Sequence, residues 1–358
     1  MAMNRWQSLQ ALRGLAALAV VAFHLQSIER KYSGGDLLLP DFLVLGQSGV
    51  DLFFVISGFV MVSVSGGRYG RSRETMRFLW GRLTRIYPAY WVYFLLTLAV
   101  LVVKPAWVNS SQDGQADLLS SFLLLPGSPP LVAVSWSLTH ELWFYIVFAA
   151  LLRFQEKWLL PSLLLWAAVV ATANIVPMPA DLPALLVIAF HPFSIEFIIG
   201  ALVAVFINSK QAQRISTLLS TAAAALVLAA GLPLLYSFDV LSAFGLARAG
   251  FVGTLCGVLI LAVANLEKSG RIVVPRFLSF LGDISYTVYL SHVLVLSAIG
   301  RLWAMTGPAP GKGVDNVLAC LLMLAAVVIY AWAGYRFVEE PILRVSHQLR
   351  ERWFDGSR

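Results

Sequence analysis

Arg13 and His24 stand eleven residues apart in one apolar run near the start of the chain, LQALRGLAALAVVAFH. Asp51, Glu141 and His292 interrupt three other apolar runs, with His140 and His191 as weaker relatives. An ionisable side chain within a long apolar segment is costly and marks a functional position by default. A histidine, with an ordinary pKa of about 6.5, is the side chain best suited to take and return a proton near neutral pH. A different chemistry is suggested by RFLWGRLTRIYPAYW, which brings Arg77, Arg82 and Arg85 up to Tyr87. On a helix 82 and 85 are i,i+3 neighbours, with 77 within reach of a large anion. Guanidinium groups pair with phosphates bidentately, so this cluster suits a phosphate-bearing ligand or, equally, anionic lipid headgroups.

The elements that must position these groups are apolar helices. Of 358 residues, 59% are hydrophobic and only 13% charged, against about 25% charged in a soluble domain. That balance excludes a soluble enzyme, a disordered chain and a disulfide scaffold. Cys256 and Cys320 both lie in apolar runs, so neither a disulfide framework nor a metal cluster is expected. Runs long enough to cross a bilayer fall near 12–29, 44–65, 86–103, 136–152, 158–176, 184–207, 217–236, 250–266, 277–299 and 316–337. The fold class expected is therefore an all-α polytopic membrane protein of about ten transmembrane helices. The first run reads as a retained helix and not as a signal peptide, since Arg13 and His24 lie inside it and no small-residue cleavage site follows.

Orientation follows from Lys and Arg. With the N-terminus in the cytoplasm, twenty of the 26 fall in inner segments, so both termini are expected inside. The net charge of +7 is then a topology signal. No basic stripe has the aromatic interleaving of a nucleic-acid site, so no nucleic-acid partner is expected. The external segment 104–135, rich in Ser, Gly and Pro, is long enough to cover a cleft.

Depth ties the residues together. At a rise of 1.5 Å per residue, Arg13 and His24 lie roughly 16 Å apart along the first helix. Counting along the other runs puts Asp51, Glu141 and His292 at the depth of His24, in the outer half of the bilayer. A donor with a phosphate-rich head at Arg77, Arg82 and Arg85 and an arm of about 16 Å would present its reactive end near His24. Acyl-coenzyme A has that shape, as do other elongated donors.

Six segments then carry a family resemblance: the opening run with Arg13 and His24, GVDLFFVISGFVM (49–61), RLTRIYPAYW (82–91), SWSLTHELWFY (135–145), LGDISYTVYLSH (281–292) and VEEP (338–341). In order and spacing the chain resembles the integral-membrane acyltransferase 3 family from about residue 9 to 345. Its members are bacterial O-acyltransferases of exopolysaccharides, O-antigens, Nod factors or peptidoglycan. The resemblance implies one transmembrane domain, 1–345, with a short cytoplasmic tail, 346–358, in the bacterial cytoplasmic membrane. It implies acetyl-CoA as donor from the cytoplasm and a glycan or lipid-linked oligosaccharide acceptor outside, with a polysaccharide assembly complex as a further partner. His24 matches the family's essential histidine, Arg13 its partner arginine and Glu141 the acid of its W-S-L-x-x-E motif.

On that reading His24 is the base, or an acetyl-carrying relay. Glu141 or Asp51 would hold its other ring nitrogen in the manner of a triad, with His292 in the same cluster. Arg13, Arg77, Arg82, Arg85 and Tyr87 would bind the donor, and Trp136, Tyr145 and Tyr286 the acceptor. Ser57 and Ser135 join the two tyrosines as candidate oxyanion donors. Asp51 opens a helix and serves equally well as an N-cap; the aromatics at 87–94 and 143–148 suit interface anchoring and helix packing better than a sugar platform. The competing reading is a proton-coupled transporter or flippase of a lipid-linked glycan.

Overall fold

A computed structural model of the chain describes residues 6–35, 37–108, 116–176, 179, 181–242, 244–306 and 313–354. Residues 1–5 of the expected domain and 355–358 of the expected tail lie outside them. The described residues are helical and contain no strand. In order the helices are α1 (Gln7–Tyr32), α2 (Ser48–Ser65), α3 (Ser72–Val103), α4 (Leu118–Leu123), α5 (Trp136–Leu151), α6 (Leu159–Ile175) and α7 (Ala184–Ala189). They continue as α8 (Phe193–Ile207), α9 (Thr217–Leu226), α10 (Leu232–Ser237), α11 (Leu246–Lys268), α12 (Arg276–Met305), α13 (Gly313–Gly334) and α14 (Glu340–Phe354). Among the described residues nine helical stretches are long and apolar enough to cross a membrane.

The tenth expected span, 136–152, is the exception, and it has a physical reason. Helix α5 has 16 residues, about 24 Å of helix, against a hydrocarbon core of about 30 Å. It begins inside the bundle because the preceding segment folds inward: Leu124, Leu131, Val132 and Val134 are all buried. Irregular backbone at such a depth needs every polar group satisfied by protein. The terminal carbonyls of α4, which have no partners within their own helix, are met by side chains of α3. Tyr90 donates to Ser121, the Trp91 indole to Phe122 (3.1 Å) and Tyr87 to Leu123 (2.8 Å). The Ser121 hydroxyl in turn accepts from the backbone N–H of Leu131.

The two ends of the bundle are defined by loop contacts. At one end, the first turn of α1 bonds Glu267 through the Gln7 and Ser8 amides, Gly70 donates to the Leu152 carbonyl, and Trp80 packs on Trp353. This arginine-bearing end collects the segments 68–85, 153–157 and 340–354. At the opposite end, Glu29 accepts from the Leu38 and Leu39 amides, and Arg301 donates to the Trp107 carbonyl.

Helices α1 and α12 run side by side in the same direction, held by glycines at their crossing. A Cβ on Gly282 would overlap the Gln10 carbonyl, and one on Gly14 would sit 2.6 Å from the Leu281 Cβ. Small residues allow this close approach, as they do in membrane helix pairs generally. Farther along the same pair Gly300 faces Ile28 and Tyr32. Helices α2 and α8 pack likewise, Gly58 against the Phe197 carbonyl and Gly200 against the Val55 carbonyl.

Candidate active site

The parallel register of α1 and α12 sets the site. It brings Gln10 beside Asp283 (3.2 Å) near the arginine-bearing end and His24 beside His292 farther along both helices. Arg13 donates to the Gln10 side chain at 3.1 Å. It also lines a central cavity of about 80 Å³ with Arg82, Arg85, Ser57, Glu141, Tyr145, Tyr286 and Tyr289. A second cavity, shared by Arg13, Arg82, Arg85, Asp283 and Glu339, lies beside it. A wide recess at the arginine-bearing end is lined by Arg77, Arg82 and Arg85. Arg82 and Arg85 therefore line all three spaces. Pro88 lies within α3 just beyond them, so Thr84 loses the amide that would ordinarily bond its carbonyl. Buried Glu339, accepting from Thr287 at 2.6 Å, faces the cavity that Arg85 and Arg13 also line.

His24 lines a different cavity, of about 380 Å³, towards the opposite end of the bundle, together with Tyr93, Trp107, Val134 and Arg301. Its Nδ1 lies 2.9 Å from the Val20 carbonyl and 3.3 Å from Nε2 of His292. His292, fully buried, has its own Nδ1 3.1 Å from the Val288 carbonyl. The pattern assigns the protons. A carbonyl only accepts, so each Nδ1 carries hydrogen; His292 Nε2 is then an acceptor, and the lone pair of His24 is left on Nε2.

The two cavities are separated by a polar wall. Tyr289 lines the central cavity, donates to the Val134 carbonyl at 2.9 Å and shares a 2.7 Å hydrogen bond with Ser137. Its ring packs against His292.

Several expectations are corrected here. Neither Glu141 nor Asp51 hydrogen-bonds His24. Because α5 begins inside the bundle, Glu141 reaches the arginine-lined cavity instead, accepting from Ser57 at 3.2 Å and from Tyr145. Asp51 forms a bidentate pair with Arg248 of α11 at 2.8 and 2.9 Å. Arg248 completes its bonding at the Leu241 carbonyl and packs over Phe244. Glu196 of α8 is the third buried ionisable group of this cluster. The expected single layer of titratable groups is thus three separate clusters. Tyr87 faces α4 and lines none of the arginine cavities, so it is not placed to hold the donor. The residues expected to hold the acceptor are divided. Tyr145 and Tyr286 line the central cavity, with the Tyr286 hydroxyl bonded to the Ile86 carbonyl. Trp136 lines a separate cavity with His140 and His191. Arg77 lies in the recess, 3.9 Å from Glu74.

Sequence reasoning passed over Glu196 and Arg248. The signal was present, a lone carboxylate in the apolar run 184–207 and a lone arginine at the edge of 250–266.

Residues 6–336 match the family model described as the acyltransferase domain. The chain belongs to that acyltransferase family. Over 311 residues this acyltransferase is 28% identical to the exopolysaccharide production protein ExoZ of Rhizobium meliloti (strain 1021), covering 84% of this chain and 90% of that protein. It is 29% identical to the acyltransferase MdmB of Streptomyces mycarofaciens over 95% of this chain and 92% of that one. To the peptidoglycan O-acetyltransferase OatA of Listeria monocytogenes it is 25% identical over 94% of this chain but 55% of the relative. No solved structure matches. Membership favours acyl transfer over the transporter or flippase reading.

Proposed function

We propose that this acyltransferase is a membrane O-acetyltransferase carrying an acetyl group from acetyl-CoA to a hydroxyl of a surface or exported glycan. One observation supports this above the rest. On a single helix, Arg13 lines the arginine cavities and His24 lines the cavity towards the other end. Donor and acceptor thus approach one helix from opposite ends. The likeness to proteins named for exopolysaccharide production and peptidoglycan O-acetylation points the same way.

In this reading the arginine-bearing end faces the cytoplasm of a bacterial inner membrane, as the Lys and Arg distribution favours. Arg82, Arg85 and Arg13 hold the donor's phosphates through charge-assisted hydrogen bonds. His24 Nε2 takes the proton of the acceptor hydroxyl while that oxygen attacks the thioester carbonyl. The C–S bond breaks, CoA leaves as thiolate, and the imidazolium returns the proton to it. The same lone pair would serve as nucleophile in an acetyl-His24 relay. A quench with labelled acetyl-CoA and no acceptor separates the two routes by the presence or absence of label on His24.

The test uses purified protein, labelled acetyl-CoA and membrane glycans, with His24→Ala and Arg82→Ala beside the wild type. Transfer is expected to vanish in the first and donor binding to weaken in the second. Wild-type transfer by His24→Ala overturns the proposal.

A further inference from the structure

One wall of the recess at the arginine-bearing end is the C-terminal helix. Its lining includes Leu343, His347, Arg350 and Glu351. These positions fall at i, i+4, i+7 and i+8, one face of α14. The helix is fastened there by Ser346, whose hydroxyl donates to Thr84 at 2.6 Å and whose carbonyl accepts from the Trp80 indole at 3.4 Å. Of the other arginines on this stretch, Arg336 and Arg344 pair with Glu340 on a separate face.

Arg350 occupies a particular place. Its Nη1 lies 3.1 Å from where a Cβ of Gly81 would be. Gly81 sits four residues after Arg77 and four before Arg85, so the three share one face of α3. The missing side chain at 81 leaves a gap between two arginines, and the guanidinium of Arg350 fills it from the opposite wall. Arg68 also lines the recess, which has a volume of about 610 Å³ and carries five arginines against Glu74 and Glu351.

The arginines therefore form two groups. Arg13, Arg82 and Arg85 line the inner cavities, whereas Arg68, Arg77 and Arg350 line only the outer recess. A ligand with two separate phosphate positions matches this division. Building on the acetyl-CoA reading above, we propose that the recess between α3 and α14 binds the 3′-phosphate of the donor nucleotide, with Arg350 as a ligand supplied by the C-terminal helix. The inner arginines then take the pyrophosphate. A phosphomonoester carries nearly two charges at neutral pH and three acceptor oxygens, which suits guanidinium groups converging from two helices. A lipid phosphate offers related chemistry, so the experiment must separate the two sources.

Binding of CoA and of dephospho-CoA, which lacks only the 3′-phosphate, is measured by calorimetry on the full chain in lipid-free neutral detergent. Wild type should prefer CoA. Arg350→Ala should bind CoA about tenfold more weakly and dephospho-CoA as wild type does, which also shows that the variant is folded. Arg350→Lys should recover part of the loss, and KM for acetyl-CoA should rise more than kcat falls. Equal CoA affinity in wild type and Arg350→Ala overturns the proposal. So does a variant that loses only its binding of phosphatidylglycerol vesicles, which assigns Arg350 to lipid. If wild type itself binds neither CoA nor dephospho-CoA, the acetyl-CoA reading fails and this one with it; retained CoA binding with no effect of Arg350 fails this one alone.

Discussion

Nε2 of His292 lies 3.3 Å from Nδ1 of His24, the nitrogen that also meets the Val20 carbonyl, so the lone pair of His24 is left on Nε2. His292 is buried and does not line the cavity that His24 faces. On the mechanism proposed above it acts through the other ring, by holding that ring in one orientation. Replacing His292 with Ala should lower kcat by about a hundredfold, within the range that general-base catalysis contributes, with little change in KM for acetyl-CoA. His292→Gln, whose amide oxygen accepts a hydrogen bond, should recover part of the rate. A structural defect alone would show as lost donor binding and no rescue.

Asp51 is expected to matter through stability. Asp51→Ala leaves Arg248 buried without its partner, a change that costs about 3–5 kcal/mol. Thermal melting in detergent should fall accordingly. The double variant Asp51→Leu with Arg248→Met should melt above Asp51→Ala and regain transfer activity. Continued inactivity in a well-folded double variant would return Asp51 to the catalytic set.

Gly282→Ala tests whether helix spacing carries function. The added methyl meets the Gln10 backbone carbonyl, which no side-chain rotation relieves. Helices α1 and α12 must separate, at a cost of about 1–3 kcal/mol. Both the Gln10–Asp283 and His24–His292 pairs span that interface, so transfer should drop although no polar group has been altered. Gly245→Ala, where nothing lies within 4 Å of the added carbon, is the control and should retain activity.

For Tyr87, Phe is the informative replacement. Its hydroxyl serves the end of α4, so CoA affinity should be unchanged while stability falls by about 0.5–1.5 kcal/mol, the net worth of one hydrogen bond. A tenfold loss of CoA affinity would put Tyr87 back at the donor site.

The expectations that rested on periodicity along one helix survive in the structure, and those that needed a partner across helices do not. The separation of Arg13 and His24 needs only the helical rise, so the placement of the two residues towards different ends of the bundle was legible. The membership of Glu141 in the histidine layer assumed that α5 begins at the membrane face. It fails because 116–135 folds inward, its backbone satisfied by Tyr87, Tyr90 and Trp91, which the sequence shows only as interface-like aromatics. The partnership of Asp51 and Arg248 joins residues 197 positions apart, and nothing local in either run announces it. Arg350 read as one charge among several near the terminus; its place over Gly81 depends on how α14 folds back on α3.

The wall made by Tyr289, Ser137 and the Val134 carbonyl has a bearing on the cell as well as on the reaction. Cavities that enter from both ends of a membrane protein threaten to join into an aqueous bore, and an energised membrane would discharge through it. Here three interlocked groups stand where the two spaces approach and keep the cavities from joining. Insulation against ion leak is thus built from residues that line the two cavities themselves.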